Sequence, residues 1–421
     1  MHTNKTIYTI MKPISLVPPA SIHATIQLPS SKSICNRALI INALSQNHAQ
    51  LRNLSDCDDT RVLISALQDM PDTIDIGAAG TAMRFLTAYL SVNEGTHLLT
   101  GTPRMQQRPI GILANALREA GAHIEYAGKE GYPPLRITGS RLTHNEITLP
   151  GNVSSQYISA LLMIGPALPD GLKLTLTGTV ISRPYIDLTL ELMQSFGAHA
   201  QWSDEHQLYV EPHPYQAPAS YYIESDWSAA SYWYEICALM PEAEIELPGL
   251  FRKSLQGDAR VARLFSALGV ETRYENDKVL LTKSDIKTSR IEYDFINQPD
   301  LAQTFVVTCA LLDVPFRFSG LQSLKIKETD RMAALIKEMK KLGYVLNETD
   351  GSILSWNGER CMPDARPAID TYEDHRMAMA FAPACIIVDN LFINNPQVVS
   401  KSYPHYWDDL RRAGFNIEAE P

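Results

Sequence analysis

Cysteine, long apolar runs and positive charge are all scarce in this sequence. Its six cysteines show no CxxC pair and no regular spacing, which argues against a disulfide scaffold and a structural metal site. The longest apolar stretch, residues 377–388, contains Pro383 and is too short to span a bilayer. The first 13 residues lack the apolar run of a signal peptide. We therefore expect a cytoplasmic protein with no membrane segment and no bound metal.

Basic residues are in the minority, with 37 Lys and Arg against 47 Asp and Glu, so the formal net charge is −10. This balance disfavours a nucleic-acid partner, which a generally basic surface would attract. The GxxxxGK[ST] spacing of a P-loop and the GxGxxG fingerprint are both absent, so nucleotide binding is not supported. Small anionic ligands remain possible, because a few cations can be gathered in one cleft.

The chain is long enough for two to four domains, and its composition is that of a globular protein. Six passages share one pattern: a short β-type run, a polar turn, and a helix rich in small and apolar residues. The turns are marked by Lys32, Gly80, Ser154, Asp226, Asp300 and Asp374. The intervals between these markers are 48, 74, 72, 74 and 74 residues, so the first repeat is short and the others are nearly equal.

A second helix recurs in step with the first. Five of these second helices end at a glycine, the residue that most readily adopts the left-handed conformation after a helix. The glycines are Gly121, Gly197, Gly269, Gly343 and Gly414. With the intervening strand and a closing hairpin, each unit is predicted to be β-α-β-α-β-β. The first unit lacks its hairpin, since its second helix ends at Met70-Pro71 and the next strand begins at once. The first helix of each unit is apolar all round and predicted to be buried.

Cations and hydroxyls are concentrated where the helices are predicted to begin. A helix N-terminus offers unpaired N–H groups and a partial positive charge, which together favour an anion. The residues concerned are Lys32, Ser33, Arg37, Gly80, Arg84, Arg104, Arg108, Ser154, Ser155, Gln156, Ser182, Arg183, Tyr185, Lys327, Arg331, His375, Arg376 and Lys401. Each hydroxyl alone could simply cap a helix, but together the set predicts at least two bound anionic groups.

Three acid–base candidates lie at equivalent turns. Asp300 could cap its helix, and Glu328 could compensate a helix dipole; either could equally act as an acid or base beside the cations. His375, between Asp374 and Arg376, is a further candidate for proton transfer.

These passages together resemble the 5-enolpyruvylshikimate-3-phosphate synthase family. The match is carried by PSSKSICNRAL, SDCDDTR, GAAGTAMRF, PRMQQRPIG, VSSQYISALLM, SRPYIDLTL, KETDRM and DHRMAMAF, and it extends from about Ile14 to Phe415. The resemblance implies an α/β fold of two globular domains, each of three β-α-β-α-β-β repeats with buried helices. That architecture agrees with the repeat found independently above.

The resemblance implies transfer of the enolpyruvyl group of phosphoenolpyruvate to the 5-hydroxyl of shikimate 3-phosphate, with release of phosphate and without a cofactor. By motif, the shikimate 3-phosphate site would comprise Lys32, Ser33, Arg37, Ser154, Ser155, Gln156, Ser182, Tyr185, Asp300, Ser323 and Lys327. The phosphoenolpyruvate site would comprise Lys32, Gly80, Arg108, Gln156, Arg331, Arg376 and Lys401.

The implied mechanism is addition followed by elimination through a tetrahedral intermediate. Asp300 would act on the 5-hydroxyl and Glu328 on the methylene proton, with His375 supporting Glu328 and Lys32 and Lys401 stabilising the leaving phosphate. Gly80 implies room for glyphosate in the phosphoenolpyruvate site. Three residues depart from the family pattern, namely Ala78, Phe85 and Ser323, and they put fine affinity in doubt rather than the reaction class.

Two other functions remain open. One is the sister enolpyruvyl transferase acting on UDP-N-acetylglucosamine, whose mobile loop usually carries a Cys just before an Arg-Pro; here residues 105–107 precede Arg108-Pro109 and no Cys is near. The other is a non-catalytic repeat protein that binds polyanions, which would need neither Asp300 nor Glu328 beside the cations.

Domain limits follow from the repeat count. Residues 31–225 are predicted to form a three-repeat domain that binds mainly shikimate 3-phosphate. Residues 1–30 and 226–421 are predicted to form a second, discontinuous domain that carries the acid–base residues. The crossings near 29–31 and 224–226 would form a hinge around an interdomain active site, and the protein is expected to be a monomer.

Overall fold

The structure is a computed structural model that describes residues 12–420. Short 3₁₀ turns connect many of its elements. In chain order the α-helices are α1 (Lys32–Leu44), α2 (Asp58–Asp69), α3 (Gly80–Val92), α4 (Gly111–Glu119), α5 (Ser155–Ile164), α6 (Arg183–Ser195), α7 (Trp227–Leu239), α8 (Val261–Phe265), α9 (Ala302–Leu311), α10 (Arg331–Lys341), α11 (His375–Phe381) and α12 (Tyr406–Arg412).

The strands are short, as expected for a repeat of this length. In chain order they are β1 (Ile14–Val17), β2 (Ile22–Thr25), β3 (Gln50–Arg52), β4 (Thr73–Asp75), β5 (Thr96–Thr100), β6 (His123–Tyr126), β7 (Leu135–Thr138), β8 (Glu146–Pro150), β9 (Leu172–Thr177), β10 (Ala200–Trp202), β11 (Gln207–Val210), β12 (Ser220–Tyr222), β13 (Ala243–Pro248), β14 (Val270–Glu275), β15 (Lys278–Lys283), β16 (Ile291–Asp294), β17 (Phe316–Ser319), β18 (Asn347–Thr349), β19 (Ile353–Trp356), β20 (Ala368–Ile369), β21 (Phe392–Ile393) and β22 (Asn416–Ala419).

The predicted β-α-β-α-β-β unit is confirmed, and the third repeat shows it clearly. Its chain order is β8-α5-β9-α6-β10-β11, and its sheet order is β10-β11-β9-β8. Strands β8 and β9 are parallel and are linked by the buried helix, whereas β10 and β11 form the closing antiparallel hairpin. The second and fifth repeats form sheets of the same order, β4-β5-β7-β6 and β16-β17-β19-β18.

The first and fourth repeats exchange their opening strands. The predicted domain limits imply that these strands lie across the crossings, but the sequence pattern did not predict the strands with which they pair. Strand β2 leads into α1 but pairs in parallel with β13, in the sheet of the fourth repeat. Strand β12 leads into α7 but pairs in parallel with β3, in the first repeat. The sequence pattern shows that a strand precedes each helix, but strand pairing is non-local and the period carries no information about it. The β3–β12 pair is all that remains of the first sheet, which confirms the truncation.

The sixth repeat is completed from the N-terminal end of the chain. Its sheet has the order β20-β21-β1-β22, so β1 occupies the place of the missing second hairpin strand. Strand β1 pairs antiparallel with both β21 and β22. Strands β1 and β2 thus pair with sheets of the second group of three repeats, and residues 1–11 of the expected segment lie outside the described residues.

Buried side chains form two hydrophobic clusters. The N-terminal core draws its buried residues from 34–223, and the C-terminal core from 14–28 and 227–417. Helices α1, α3 and α5 pack together in the N-terminal core, and α7, α9 and α11 pack together in the C-terminal core. All residues of α9 are buried, as its apolar sequence predicts. Each large apolar side chain removed from water in this way contributes roughly 1.5–3 kcal/mol. The two-domain α/β fold is thus confirmed.

The second helices are amphipathic and lie outside these cores. In α10 the residues Met332, Leu335 and Met339 are buried on one face, while the opposite face is solvated. Glu328, which could have compensated the dipole of this helix from its first turn, precedes the helix: Asp330 is the cap and accepts from the Ala333 N–H at 3.1 Å. Residues 328–330 are consequently a loop, and this loop lies at the cleft between the cores.

The chain crosses between the two cores twice, and the crossings are hydrogen-bonded side by side. Ser30 and Ser225 form an isolated antiparallel bridge. The Ser31 N–H donates to the Glu224 carbonyl, and the Asp226 N–H donates to the Pro29 carbonyl, both at 2.9 Å. The two expected hinge segments are therefore one paired strip of backbone. Among the described residues, no helix is long and apolar enough to cross a membrane.

Candidate active site

A cleft between the two cores is lined by polar residues from both. Six lysine or arginine side chains and four carboxylates contribute to its wall. The lining residues are Lys32, Ser33, Arg37, Asp59, Gly80, Thr81, Arg108, Ser154, Ser155, Gln156, Ser182, Tyr185, Asp226, Ser228, Ala229, Tyr232, Asp300, Lys327, Glu328, Arg331, His375, Arg376 and Ser402. Of the residues assigned to the two substrate sites, Ser323 and Lys401 are not among them. Three arginines noted at helix openings, Arg84, Arg104 and Arg183, also lie outside this lining.

The buried helices bring their N-termini to this cleft. Ser154 caps α5 by accepting from the Gln156 N–H at 3.4 Å, and Asp226 caps α7 by accepting from the Ser228 N–H at 2.7 Å. Asp374 caps α11 by accepting from the Arg376 N–H at 2.9 Å. These capping residues fix the first turn of each helix, so the side chains of those first turns point into the same cleft.

Asp300 precedes α9, and its side chain does not cap that helix. Its carboxylate instead contacts the guanidinium groups of Arg331 and Arg376, each at 3.0 Å, and accepts from the Tyr185 hydroxyl at 3.3 Å. The ammonium of Lys327 lies 3.6 Å away. Burial opposes ionisation, but Arg376, Lys327 and Arg331 outweigh it and hold the pKa of Asp300 well below its usual range. Asp300 is therefore ionised.

Glu328 occupies the loop before α10 and has its own set of cations. Its carboxylate lies 2.9 Å from Arg331, 3.1 Å from Lys401 and 3.8 Å from Arg108. Burial raises its pKa, yet Lys401, Arg331 and Arg108 more than compensate, and the pKa of Glu328 is well below its usual range. Although Lys401 is absent from the cleft wall, it contacts the site directly through Glu328.

Arg331 links both carboxylates and is itself oriented by a third. Its Nε donates to Asp374 Oδ2 at 2.6 Å, while its terminal nitrogens donate to Asp300 and Glu328. Arg376 donates to Asp300 and to the Tyr232 hydroxyl, the latter at 3.3 Å. Paired donors held in this way suit the recognition of a carboxylate or phosphate.

His375 is the first residue of α11 and is buried in the cleft wall. Neither ring nitrogen has a hydrogen-bond partner among the described residues. Burial first, and then the charges of Lys32, Arg376 and Lys401, lower the pKa of the imidazole well below its usual range. The ring is therefore neutral, and its nitrogens are available to a ligand.

Lys32 opens α1 and faces the cleft from the N-terminal core. Its ammonium lies 3.3 Å from Asp59 Oδ2. Burial disfavours the charged form, but Asp59, Cys57 and Glu328 together outweigh it, so the pKa of Lys32 is raised above its usual value. Lys32 is thus a fixed positive charge, held in place from the second helix of the truncated repeat.

Gly80, the first residue of α3, lies between two arginines. A Cβ at this position would be 2.7 Å from terminal nitrogens of both Arg84 and Arg108. The Arg84 guanidinium donates to the Gly80 carbonyl at 2.8 Å, and burial together with the neighbouring Arg108 lowers the pKa of Arg84 to about 10. The missing side chain allows two cations to approach the same point.

The hydroxyls and amides predicted for shikimate 3-phosphate cluster on the N-terminal side. Gln156 donates to the Thr81 hydroxyl at 3.1 Å, which joins the openings of α3 and α5. Ser182 has a left-handed backbone, with φ 54°, and its N–H donates across the cleft to the Ile296 carbonyl at 3.0 Å. Ser33, Ser154, Ser155 and Tyr185 also line this wall.

Arg37 and Ser323, both predicted to bind shikimate 3-phosphate, are not placed as that prediction requires. Arg37 reaches the cleft, but its guanidinium donates to Thr189, Ser159 and the Ser33 carbonyl at 2.7–3.0 Å. It therefore joins α1, α5 and α6 from within the N-terminal core. Ser323 lies in the 3₁₀ turn Gln322–Ile326, outside the residues that line the cleft.

The departures from the family pattern also lie outside the cleft wall. Phe85 is fully buried in the N-terminal core, with the Arg37 guanidinium 5.3 Å from its ring centroid. Ala78 is exposed. Neither residue is among those that line the cleft.

Several wall residues were not selected from the sequence. These are Asp59, Ser228, Ala229, Tyr232 and Ser402. Asp226 served only as a repeat marker, and Thr81 was noted only as the hydroxyl that follows Gly80 in a helix opening. Asp59 could have been found, because it belongs to the SDCDDTR motif. Tyr232 carried no signal, because it lies within an aromatic run that indicates only a buried helix. In the described part of the chain, no group of three or more His, Cys, Asp or Glu side chains is arranged to hold a metal ion.

Comparisons with known proteins agree along the whole chain. The family model described as EPSP synthase (3-phosphoshikimate 1-carboxyvinyltransferase) matches residues 16–74 and 69–410. A 3-phosphoshikimate 1-carboxyvinyltransferase of Bacteroides fragilis is 64% identical over 400 residues, covering 95% of this chain and 97% of its own. An enzyme of the same name from Aliivibrio fischeri is 35% identical, covering 95% and 99% of the two chains.

Solved structures show the same fold at low identity. An EPSP synthase from Acinetobacter baumannii superimposes with a TM-score of 0.76 at 19% identity, covering 97% of this chain and all of its own. The enolpyruvyl transferase NikO from Streptomyces tendae gives a TM-score of 0.73 at 15% identity, covering 98% of this chain and all of its own. At these identities the two structures bear on the fold alone.

Proposed function

The chain belongs to the EPSP synthase family and transfers the enolpyruvyl group of phosphoenolpyruvate to shikimate 3-phosphate, and we propose that it does so in the cleft between its two cores. It is a transferase of the shikimate pathway, which leads to the aromatic amino acids. The observation that carries the assignment of the cleft is its charge arrangement: two ionised carboxylates, Asp300 and Glu328, lie among cations that exceed them in number.

The cations are suited to two substrates that each carry a phosphate and a carboxylate. On the phosphoenolpyruvate side the proposed residues are Lys32, Gly80, Arg108, Gln156, Arg331, Arg376 and Lys401. On the shikimate 3-phosphate side they are Lys32, Ser33, Ser154, Ser155, Gln156, Ser182, Tyr185, Asp300 and Lys327. We assign Arg37 a positioning role, because its donors already hold α1, α5 and α6 together. Ser323 is left out of the binding set.

Asp300 is proposed to act as the base toward the 5-hydroxyl. A base must be ionised before it accepts a proton, and the cations around Asp300 lower its pKa accordingly. The Tyr185 hydroxyl, which donates to the same carboxylate oxygen as Arg376, fixes the orientation of the group.

Glu328 is proposed to donate the proton to the methylene carbon. In the free protein it is ionised because Lys401, Arg331 and Arg108 surround it. Phosphoenolpyruvate would bring negative charge to those same cations, which weakens their hold on Glu328 and raises its pKa. The proton would therefore be taken up as the substrate binds. The neutral His375, whose ring nitrogens have no hydrogen-bond partner among the described residues, is proposed to support the exchange.

The two carboxylates account for both steps of the reaction. In the addition, the 5-hydroxyl oxygen bonds to the carbon that bears phosphate, Asp300 takes the hydroxyl proton, and Glu328 protonates the methylene carbon. In the elimination, the bond from that carbon to the phosphate oxygen breaks and a methyl proton returns to Glu328. The proton on Asp300 leaves with the phosphate, whose charge Lys32 and Lys401 stabilise.

We also propose the domain limits 31–225 and 1–30 plus 226–421, with the hinge at the paired crossings. The two hydrophobic cores support this division, since their buried residues separate at the same positions. The monomer stays a prediction. The described cysteines are all free thiols, which supports a reducing, cytoplasmic location.

Phosphate release is the measurement that tests this function. The protein is mixed with phosphoenolpyruvate and with shikimate 3-phosphate, UDP-N-acetylglucosamine or no acceptor. Phosphate should appear only with shikimate 3-phosphate. Release with the UDP-sugar would identify the sister activity, and binding of phosphosugars without release in any mixture would indicate a polyanion-binding protein.

A further inference from the structure

A third carboxyl lies behind Asp300, and neither step of the reaction uses it. Asp258 belongs to the 3₁₀ turn Gly257–Arg260, which precedes α8, and its side chain is buried. Oδ2 is hydrogen-bonded to the hydroxyl of Ser228, a residue of the cleft wall. Oδ1 has no partner among residues 12–420.

Asp258 differs from the two carboxylates beside it in having no compensating group. Asp300 is paired with Arg331, Arg376 and Lys327, and Asp226 accepts backbone N–H groups at the start of α7. Within the described chain, no lysine or arginine nitrogen lies within 4 Å of Asp258. A buried carboxylate without a cation is costly, so the group avoids that cost by keeping its proton.

The turn that carries Asp258 is fixed against the opposite wall of the cleft. A Cβ on Gly257 would lie 2.6 Å from Pro184, the residue before Tyr185 at the start of α6. Gln256, one residue earlier, donates to the Ser225 carbonyl at 2.8 Å and accepts from the Trp227 N–H at 3.0 Å. The carboxyl is thereby held between the crossing of the two cores and the wall that bears Ser182 and Tyr185.

We propose that Asp258 is a positioning residue that works as the neutral acid, holding the Ser228 hydroxyl at the cleft wall and leaving Arg376 to Asp300. When Asp258 ionises, its charge competes for Arg376 and repels the anionic substrates, so productive binding weakens. This inference rests on the proposed roles of Asp300 and Arg376.

The groups around Asp258 agree with a proton held near neutral pH. From the neighbouring elements it is faced by Asp226, Ser228, Tyr185, Tyr293, Asp300 and Arg376, and Arg260 lies on its own turn. Burial, followed by the negative charge of Asp300, raises the pKa of Asp258 to about 7. The carboxyl would therefore lose its proton within the range in which the enzyme can be assayed.

The test compares wild type with Asp258→Asn, which keeps the shape of the neutral acid and cannot ionise. The readout is kcat/KM for shikimate 3-phosphate from pH 6.0 to 9.0. At pH 6.5 the two proteins should agree within about threefold. By pH 8.5 the wild type should have lost about tenfold and the variant about twofold or less, because only the wild type acquires the buried charge. Both proteins see the same ionisation of the substrate, so their ratio isolates the protein group.

Further variants separate positioning from a merely structural role. Asp285→Asn removes one exposed carboxylate from the same core and should leave the pH profile unchanged. Asp258→Leu is neutral but cannot bond Ser228, and should lose about tenfold at every pH. An Asp258→Asn profile that follows the wild type from pH 6.5 to 8.5 would overturn the proposal. A wild type that releases no phosphate with shikimate 3-phosphate would instead overturn the assigned function.

Thermal stability gives a second readout that does not depend on turnover. A carboxyl whose pKa is raised by folding makes the protein less stable as pH rises from its unfolded value toward its folded one. The melting temperature of Asp258→Asn should therefore exceed that of the wild type by more at pH 8 than at pH 4. An equal difference at the two pH values would contradict a buried, proton-retaining Asp258.

Discussion

At the scale of single residues, Gly80 shows how the cleft depends on a side chain that is absent. The guanidinium groups of Arg84 and Arg108 both approach the place where a Cβ would begin. Their terminal atoms are flexible, so a methyl group would displace them rather than unfold the helix. Arg108 also contacts Glu328, so displacement of the Arg108 guanidinium would change the surroundings of the proposed acid.

Gly80→Ala is accordingly expected to raise KM for phosphoenolpyruvate about tenfold, which corresponds to about 1.4 kcal/mol of lost binding. Affinity for shikimate 3-phosphate alone, measured by calorimetry, should change by less than about twofold. The matched control is Ala78→Ser, an exposed change two residues away. An unchanged KM for phosphoenolpyruvate in Gly80→Ala would show that Arg108 does not serve this substrate.

Residue identities could be predicted from sequence wherever a motif carried them. The repeat brings the N-termini of its helices to one cleft, so the cations and acids at those N-termini all face it. Examples are Lys32, Arg108, Asp300, Glu328 and Arg376. Arg37 and Ser323 were assigned to the substrate site by motif, but the Arg37 donors bond within the N-terminal core and Ser323 lies outside the cleft lining. A motif therefore does not reveal which partners a side chain contacts. Asp258 lies in a turn with no distinguishing pattern, and only the three-dimensional arrangement of its neighbours singles it out.

At the scale of secondary structure elements, the glycines that end the second helices have the conformation the sequence predicted. All five have positive φ, between 80° and 108°. The truncated repeat has Met70 at the equivalent place, with φ 40°, so it adopts the left-handed conformation without a glycine. The backbone conformation is therefore a property of the repeat rather than of the residue.

Gly343→Ala measures the energetic cost of placing a residue with a Cβ in this left-handed conformation. With φ 92°, an alanine there is strained, and its Cβ would also lie 3.2 Å from the Cys361 carbonyl oxygen. We expect the free energy of unfolding to fall by about 1–2 kcal/mol. Gly128→Ala is the control, since Gly128 has an ordinary φ and only an ordinary contact with Pro134. Equal stability of Gly343→Ala and Gly128→Ala in urea titration would contradict this account of the helix ends.

Strand pairing could not be predicted in the same way. The pattern correctly placed a strand before each buried helix, but β2 and β12 pair with sheets on the far side of the crossing. Strand pairing is a contact between segments that are distant in the sequence. A 74-residue period does not specify these contacts, because the chain passes from one core to the other between repeats. Strand β1, which completes the sixth sheet, is separated from its partners by almost the entire sequence.

At the scale of the whole molecule, the net charge and the charge of the site have opposite signs. The chain carries −10 overall, whereas cations exceed carboxylates along the cleft wall. The minority of basic residues disfavours nucleic acid as a partner of the surface. The gathering of cations in one cleft is how, in our proposal, an acidic protein binds two anionic substrates.

In the proposed mechanism the two cores supply different parts of the reaction, and contacts across the cleft hold the two cores together. Arg104 of the N-terminal core donates to the Glu328 carbonyl at 3.1 Å, and His405 of the C-terminal core contacts Asp56 at 2.9 Å. Lys32, Arg108 and Tyr185 thereby face Asp300, Glu328 and Arg376 from the other side. In the proposed mechanism, closure of the cleft at the paired crossings would exclude water from the reacting groups.

The most direct test of the central claim is the rate of phosphate release by Asp300→Asn and Glu328→Gln at saturating substrates, with Glu348→Gln as an exposed-carboxylate control. Each of the two cleft variants should lower kcat by about 100-fold or more, the usual contribution of a positioned acid or base. The control should match the wild type. A kcat within about threefold of wild type for either cleft variant would contradict the assignment of the two proton transfers to Asp300 and Glu328.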